Sequence, residues 1–246
     1  MPIIVLQGIR GGLGTTSITA GLAWALQQLG ESALAIDFSS NNLLRLHFNM
    51  TFAQARGWAR ATTDGDRWQQ GAMQYVPRLD FLPFGQLNQT EIDALQQHCI
   101  HSPTYWRDNL AQIIAHGRHR WILIDAPADD SPLTRQALAA ADAVFLLLTP
   151  DTNCHSRLHQ QALPAQRYFL VNQFSAISQI QQDLYQLWQH TLPRLLPLVI
   201  HRDEALAESP AAKQPLGEYR PASGAAEEII TLANWCLIHL TKKEAV

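Results

Sequence analysis

The stretch Gly8-Ile9-Arg10-Gly11-Gly12-Leu13-Gly14-Thr15-Thr16-Ser17 decides the fold. It lies between a short apolar run, Ile3 to Leu6, and a stretch whose apolar residues Ile18, Leu22, Ala25, Leu26 and Leu29 fall on one stripe. A four-residue apolar run suits a buried strand, and the i, i+4, i+7 spacing suits an amphipathic helix, here Thr16 to Leu29 with Gly30 as its stop. Strand, glycine loop and helix in that order are the context of a phosphate loop. Glycines let the backbone turn tightly and bring its N–H groups close to an anion, which the positive helix N-terminus then faces. The candidate nucleotide contacts are Arg10, Gly11, Gly12, Leu13, Gly14, Thr15, Thr16 and Ser17. The expected ligand is ATP, with the Thr16 hydroxyl offered to Mg2+. A glycine turn without a ligand is the competing reading, and the Thr-Thr-Ser start of an amphipathic helix argues against it. One departure matters. A usual phosphate loop ends Gly-Lys-Ser/Thr, and here Thr15 occupies the lysine position while the loop's cation comes earlier, at Arg10.

Outward from the loop, apolar runs of strand length alternate with helical stretches. Ala33 to Ile36 ends at Asp37, and further strand candidates are Leu79 to Leu82, Trp121 to Ile124, Ala143 to Leu148, Tyr168 to Val171 and Leu195 to Ile200. Helical patterns include Thr104 to His116, Asn153 to Leu163, Gln179 to His190 and Ala225 to Leu240. This alternation predicts an α/β chain of the P-loop NTPase fold, with a mostly parallel central sheet and helices on both faces. Asn41 to Gln74 reads as short helices. No Gly-, Pro- or Ser-rich linker divides the chain, so residues 1–246 are expected to form one nucleotide-binding domain.

With 47% hydrophobic and 16% charged residues the chain is not of the disordered class. A net charge of -3 with only 18 Lys and Arg argues against a uniform nucleic-acid surface. Cys99, Cys154 and Cys236 are scattered, which makes no disulfide framework and points to a reducing, cytoplasmic setting. The N-terminus lacks the basic start of a signal peptide, and no apolar run is long enough to span a bilayer.

A cation early in the loop followed by Gly-Gly-x-Gly and Thr-Thr resembles the MinD/ParA family of deviant-Walker ATPases. The resemblance implies that Arg10 stands where the family's lysine reaches the nucleotide of a partner subunit in a sandwich dimer. It implies a magnesium set of Thr16, Asp37 and Asp125, the last in Ile124-Asp125-Ala126-Pro127. Asn172 resembles the adenine-reading asparagine, and Arg202 and Asp203 resemble the late loop beside the base. Singly, Asp125 could be a helix cap and Asn172 a turn former; together they sit at predicted strand ends, where ligands of open α/β sheets bind. The family's hydrolytic aspartate is replaced by Ser39, a poor general base. Asn41 or Asn42 could place a water but cannot take its proton. Binding is therefore expected to be intact and hydrolysis slow or lost.

Within that family the chain is similar to the BcsQ-type branch of bacterial cellulose secretion operons, through Gly8 to Thr16, Asn42-Leu43-Leu44-Arg45-Leu46, Leu82 to Leu87, Asn153 to Pro164 and His201 to Ala205. This resemblance implies an ATP-dependent homodimer that works with a small operon partner and supports the cellulose synthase from the cytoplasmic side of the inner membrane. The alternative is a cycling ParA/MinD-type ATPase that partitions or positions another cargo. A small-molecule kinase or a nitrogenase-type iron protein fits less well, since neither a lid with arginines nor paired cluster cysteines is evident.

Three further features admit a functional reading. Cys154, His155 and His159 lie close on one predicted helix but lack an acidic companion, so a polar helix near the nucleotide is preferred over a metal site. The stripe Ile229, Leu232, Ala233, Cys236 and Leu240 reads as core packing; a membrane-surface helix would show more basic residues than Lys242 and Lys243. Trp106, Trp188 and Trp235 sit on helical stripes and should pack in the core or at interfaces.

Overall fold

In the computed structural model, which describes residues 1–241, strand β1 (Ile3–Gly8) runs into the glycine loop and then into α1 (Thr15–Gln28). After β2 (Ala33–Asp37) come a 3-10 turn (Leu44–Phe48), α2 (Trp58–Thr63), a second 3-10 turn (Trp68–Gly71) and the short strands β3 (Met73–Val76) and β4 (Leu79–Leu82). Helices α3 (Gln89–His101) and α4 (Tyr105–His116) lead to β5 (Trp121–Ala126), α5 (Pro132–Ala140) and β6 (Ala143–Leu148). The chain continues through α6 (Thr152–Gln160), β7 (Arg167–Phe174), α7 (Gln179–Thr191), β8 (Leu195–His201), α8 (Glu204–Glu208), α9 (Leu216–Tyr219) and α10 (Gly224–His239).

The strands form one 8-stranded sheet in the order β3-β4-β2-β5-β1-β6-β7-β8. Only β3 runs antiparallel, against β4. Side chains alternate between the two faces of a strand. Ile4, Leu6, Leu123 and Phe145 join the core made with Leu22 and Leu26 of α1 and Ile229 and Leu232 of α10. Ile3, Val5, Ile122, Ile124 and Val144 join the opposite core with Trp58, Trp106, Leu110 and Leu133. Burial on both sides is why the strands read as continuous apolar runs. Helices α1 and α10 lie close together: a Cβ on Gly21 would come within 2.9 Å of Ile229 Cδ1.

The predicted strands all form. Two expectations need correction. The stretch Asn41 to Gln74 does contain short helical pieces, but its last two residues, Met73 and Gln74, belong to β3. An edge strand paired on one side only carries no alternating or continuous apolar signal. The helix expected over Asn153 to Leu163 begins at Thr152 and ends at Gln160, and Gln161 is already extended. Asp151 caps its start, and Pro164 pushes the residue before it out of the helical region. Trp106 and Trp188 are fully buried, and Trp235 packs half-buried against the core. Helix α10 buries Ile229, Leu232, Ala233 and Cys236. Lys242 and Lys243 lie outside the described residues. Among the described residues no helix is long and apolar enough to cross a membrane.

Candidate functional site

The glycine loop emerges from β1, whose neighbours are β5 and β6. Its two apolar residues, Ile9 and Leu13, are buried and pin it to the core, while the Ile9 N–H donates to Leu147 O at 3.1 Å. Gly14 occupies the helix cap at φ 78°, a left-handed conformation that glycine adopts without cost. A Cβ there would also lie 2.8 Å from Asn172 Nδ2. Gly14 brings no capping oxygen and the first turn of α1 holds no acidic residue. The helix thus presents amides and positive potential that no side chain cap neutralises, a setting suited to phosphate.

Beneath the loop lie two carboxylates. Asp37 ends β2 and Asp125 sits opposite it on β5, in direct register. They are 0% and 2% exposed. Asp37 accepts from the Ser39 N–H at 2.8 Å and the Leu44 N–H at 3.1 Å. Burial raises the pKa of both acids. The Ser39 and Leu44 amides and the Arg45 charge offset this only in part for Asp37. The Asp37 charge pushes Asp125 up further, and the neighbouring Thr16 hydroxyl works against that rise. Asp125 Oδ2 is buried and has no hydrogen-bond partner. Two repelling buried acids with an unused oxygen, beside a threonine hydroxyl, make a hard-oxygen donor set that a divalent cation would neutralise. The residues Thr16, Asp37 and Asp125 therefore fit magnesium.

Arg10 does not point into open solvent. Its Nη2 is 2.6 Å from Asp151 Oδ2 and its Nη1 donates to Gly11 O at 3.0 Å, while its Nε is buried without a partner. Asp151 also accepts from the Cys154 N–H at 2.7 Å through its other oxygen, so one carboxylate caps α6 and holds the loop arginine.

On the loop's other flank is a cleft of about 600 Å³ lined by Gly12, Gly14, Ser17, Arg202 and Asp203 among others. Asp203 accepts from the Ala205 N–H at 2.9 Å and from the Ala225 N–H at 3.2 Å, which ties the turn after β8 to the start of α10. Arg202 is largely exposed and its Nη2 lies 3.2 Å from Glu204 Oε1.

The remaining loop residues act through their backbone. Leu13 faces the core and offers its carbonyl to Asn172, and the Thr15 carbonyl accepts from the Thr19 hydroxyl at 2.9 Å. Gly11 stands exposed. Asn172 lies beneath the loop, not among the cleft-lining residues. Its Nδ2 donates to Leu13 O at 2.7 Å, which fixes the amide, and its Oδ1 is left buried and unpartnered.

Several polar residues of this region carried no signal in the sequence. Gln173 adopts φ 59° and donates to Gly12 O at 3.1 Å; it lines the cleft with Gln181, whose Oε1 accepts from the Ser175 N–H at 2.7 Å. Gln7 of β1 donates at 3.0 Å to both Pro127 O and Asp129 O. His47 approaches Ser17 Oγ at 3.4 Å, and burial holds its pKa down at about 4, so it is neutral. Of the two asparagines after Ser39, Asn41 is exposed, whereas Asn42 is buried at φ 52° with neither amide atom partnered. The histidines of α6 are otherwise engaged: the Trp188 indole donates to His155 Nδ1 at 3.2 Å, and His159 packs edge-on against His155.

A glycine loop on a central parallel strand, two acids at the ends of β2 and β5, and a cleft at the carboxyl ends of β7 and β8 define a P-loop NTPase fold of the MinD/ParA kind. Solved structures agree. The MinD cell division protein of Aquifex aeolicus superposes with a TM-score of 0.73 over 100% of this chain and 99% of its own, at 17% identity. The septum site-determining protein MinD of Pyrococcus horikoshii OT3, solved in complex with Mg-ADP, gives 0.71 over 98% and 99%, at 21% identity. The chain belongs to the BcsQ family: the family profile described as cellulose biosynthesis protein BcsQ matches residues 1–237. It is 52% identical over 246 residues to the cellulose biosynthesis protein BcsQ of Salmonella typhi, covering 97% of this chain and 95% of that relative.

Proposed function

We propose that this protein binds Mg-ATP between two copies of itself and, as a slowly hydrolysing dimer, supports cellulose secretion from the cytoplasmic side of the synthase. The observation that carries the binding step is a set of orphaned polar atoms around the glycine loop: Asp125 Oδ2, Asn172 Oδ1 and Arg10 Nε. A buried polar atom without a partner is costly, and such atoms in a native site call for an occupant. Asp125, with Asp37 and Thr16, would hold the magnesium. The Asn172 Oδ1 is a free acceptor fixed by its own Nδ2 bond; once uncovered from beneath the loop it would take a hydrogen from the adenine amino group, where guanine presents an oxygen. Arg10 supplies the charge that Thr15 lacks.

The role in cellulose secretion rests on family membership, and so do a small partner from the same operon and recruitment to the inner-membrane synthase. The binding reading is tested by calorimetry of the purified protein with ATP, in magnesium and in a chelator. Thr16→Ala should weaken Mg-ATP binding by at least about tenfold and leave magnesium-free binding nearly unchanged. Equal Mg-ATP affinities in the two proteins would remove Thr16 from the metal set. Deleting the gene from a cellulose-producing host tests the role: cellulose should vanish and return with the wild-type copy. A phosphate-release rate typical of cycling enzymes would favour the ParA/MinD-type alternative.

A further inference from the structure

A second cleft, of about 280 Å³, opens at the other end of the sheet. Asp80 stands opposite Leu34, the second residue of β2, whereas the magnesium acids occupy the carboxyl ends of β2 and β5. Leu34, Trp68, Leu82 and Ile113 give the cleft most of its apolar lining, and Gln69, Gln112 and His116 line it with them. Into this surface the chain places a carboxylate. Asp80 is 6% exposed, and His119 Nε2 lies 2.8 Å from its Oδ2, with Arg118 Nη2 at 3.0 Å. A carboxylate can only accept, so Nε2 carries the hydrogen, and in the neutral ring Nδ1 is then a bare acceptor. The Arg118 guanidinium already balances the Asp80 charge. The His119 side chain is 10% exposed, and its Nδ1 is buried with no partner.

A purely structural role, with Asp80 stapling the turn before β5, explains the Nε2 bond. It does not explain why the other nitrogen is buried beside an apolar cleft and left unsatisfied. We propose that this cleft is a second binding site, for a compact one- or two-ring aromatic molecule that gives one N–H or O–H hydrogen to His119 Nδ1. The size fits: drug-sized ligands occupy roughly 300–1,000 Å³, so a cleft just below that range suits one or two rings. Trp68 supplies an aromatic face for the ring. Asp80 fixes the tautomer of His119 and so selects donors over acceptors.

The test uses the full-length wild-type protein and two matched pairs of probes, indole with N-methylindole and phenol with anisole, titrated by calorimetry. Each pair keeps the ring and removes the donor. Indole and phenol should bind at least about tenfold more tightly than their methylated twins, because the twin leaves Nδ1 unsatisfied. The preference should disappear in His119→Leu. If that variant does not fold, the wild-type pairs alone decide. Saturating Mg-ATP should leave indole binding unchanged. Equal affinities within each pair, absence of binding up to the solubility of the probes, or displacement of indole by Mg-ATP would each overturn the proposal.

Discussion

At the scale of single residues, the acids under the loop are the most informative. Burial favours the protonated form of both Asp37 and Asp125, and the pair repels itself. Between pH ~4, where an unfolded aspartate titrates, and the raised folded values, the metal-free folded chain binds more protons than the unfolded chain. Its stability therefore falls as pH rises through that window and is greatest at the acidic end. Asp125→Asn removes one member of the pair. At pH 8 and without metal it should raise the melting temperature, by roughly 2–8 °C if about 1–2 kcal/mol of penalty is relieved in a chain of this size, and flatten the slope. It should also abolish magnesium-dependent nucleotide affinity. An unchanged melting temperature with the full pH slope would place the strain elsewhere. Asn172 is the second case. Asn172→Asp keeps the size and the acceptor but removes the donor that fixes it to Leu13, so both loop stability and base preference should suffer. Asn172→Ala should shrink the preference for ATP over GTP, and a preference that survives intact would assign base reading to Gln173 or Gln181. The acids and Asn172 were legible because each ends an apolar run. Gln7, His47 and Gln173 were not: their partners lie far along the chain or are backbone atoms, and no local pattern encodes such pairs.

At the scale of elements, the loop arginine and α6 form one unit. Asp151 is both the cap of α6 and the partner of Arg10, with side chains 34% and 26% exposed. In the isolated chain Arg10 is therefore held at home. Asparagine caps helices about as well as aspartate but carries no charge. Asp151→Asn should leave the folding stability within about 1 kcal/mol of the wild type while freeing Arg10, so more of the protein should dimerise at a given Mg-ATP concentration. A variant that dimerises less would show that Asp151 holds Arg10 in its working position. The elements themselves were readable where burial is two-sided, as in β1, β5 and β6. In the segment after Asp37 the short helical pieces were readable, but the path between them was not. Its shape comes from Arg45, which sits 7% exposed and donates to the carbonyls of Asn42 at 3.0 Å and Gln54 at 2.8 Å. A loop organised around one buried guanidinium has no periodicity to detect.

At the scale of the whole molecule, dimerisation and turnover become one question. We expect ATP to hold two chains face to face, with Arg10 of each chain contacting the other's phosphates. Arg10 is the only cation of the glycine loop, and Thr15 cannot neutralise the outer phosphates. An anion enclosed at an interface without a cation is costly. Arg10→Ala should therefore reduce dimer formation strongly and leave some monomer binding through the loop amides. Ser39 bears on the chemistry of the closed dimer. Its hydroxyl accepts from the Asn41 N–H at 3.3 Å and its own N–H is spent on Asp37, so it is committed to the turn and brings no carboxylate to a water. The buried, unpartnered amide of Asn42 can orient a water but cannot take its proton. Turnover should accordingly lie well below ~1 per second, the lower end of ordinary enzyme rates. Light scattering with ATP, with ADP and without nucleotide reads the dimer, and phosphate release reads the chemistry. A protein that stays monomeric with Mg-ATP, or an Arg10→Ala variant that dimerises like the wild type, would remove the trans-arginine arrangement. Fast phosphate release that is lost in Asn42→Ala would instead show that the Asn42 amide is enough to drive the reaction in place of the missing aspartate.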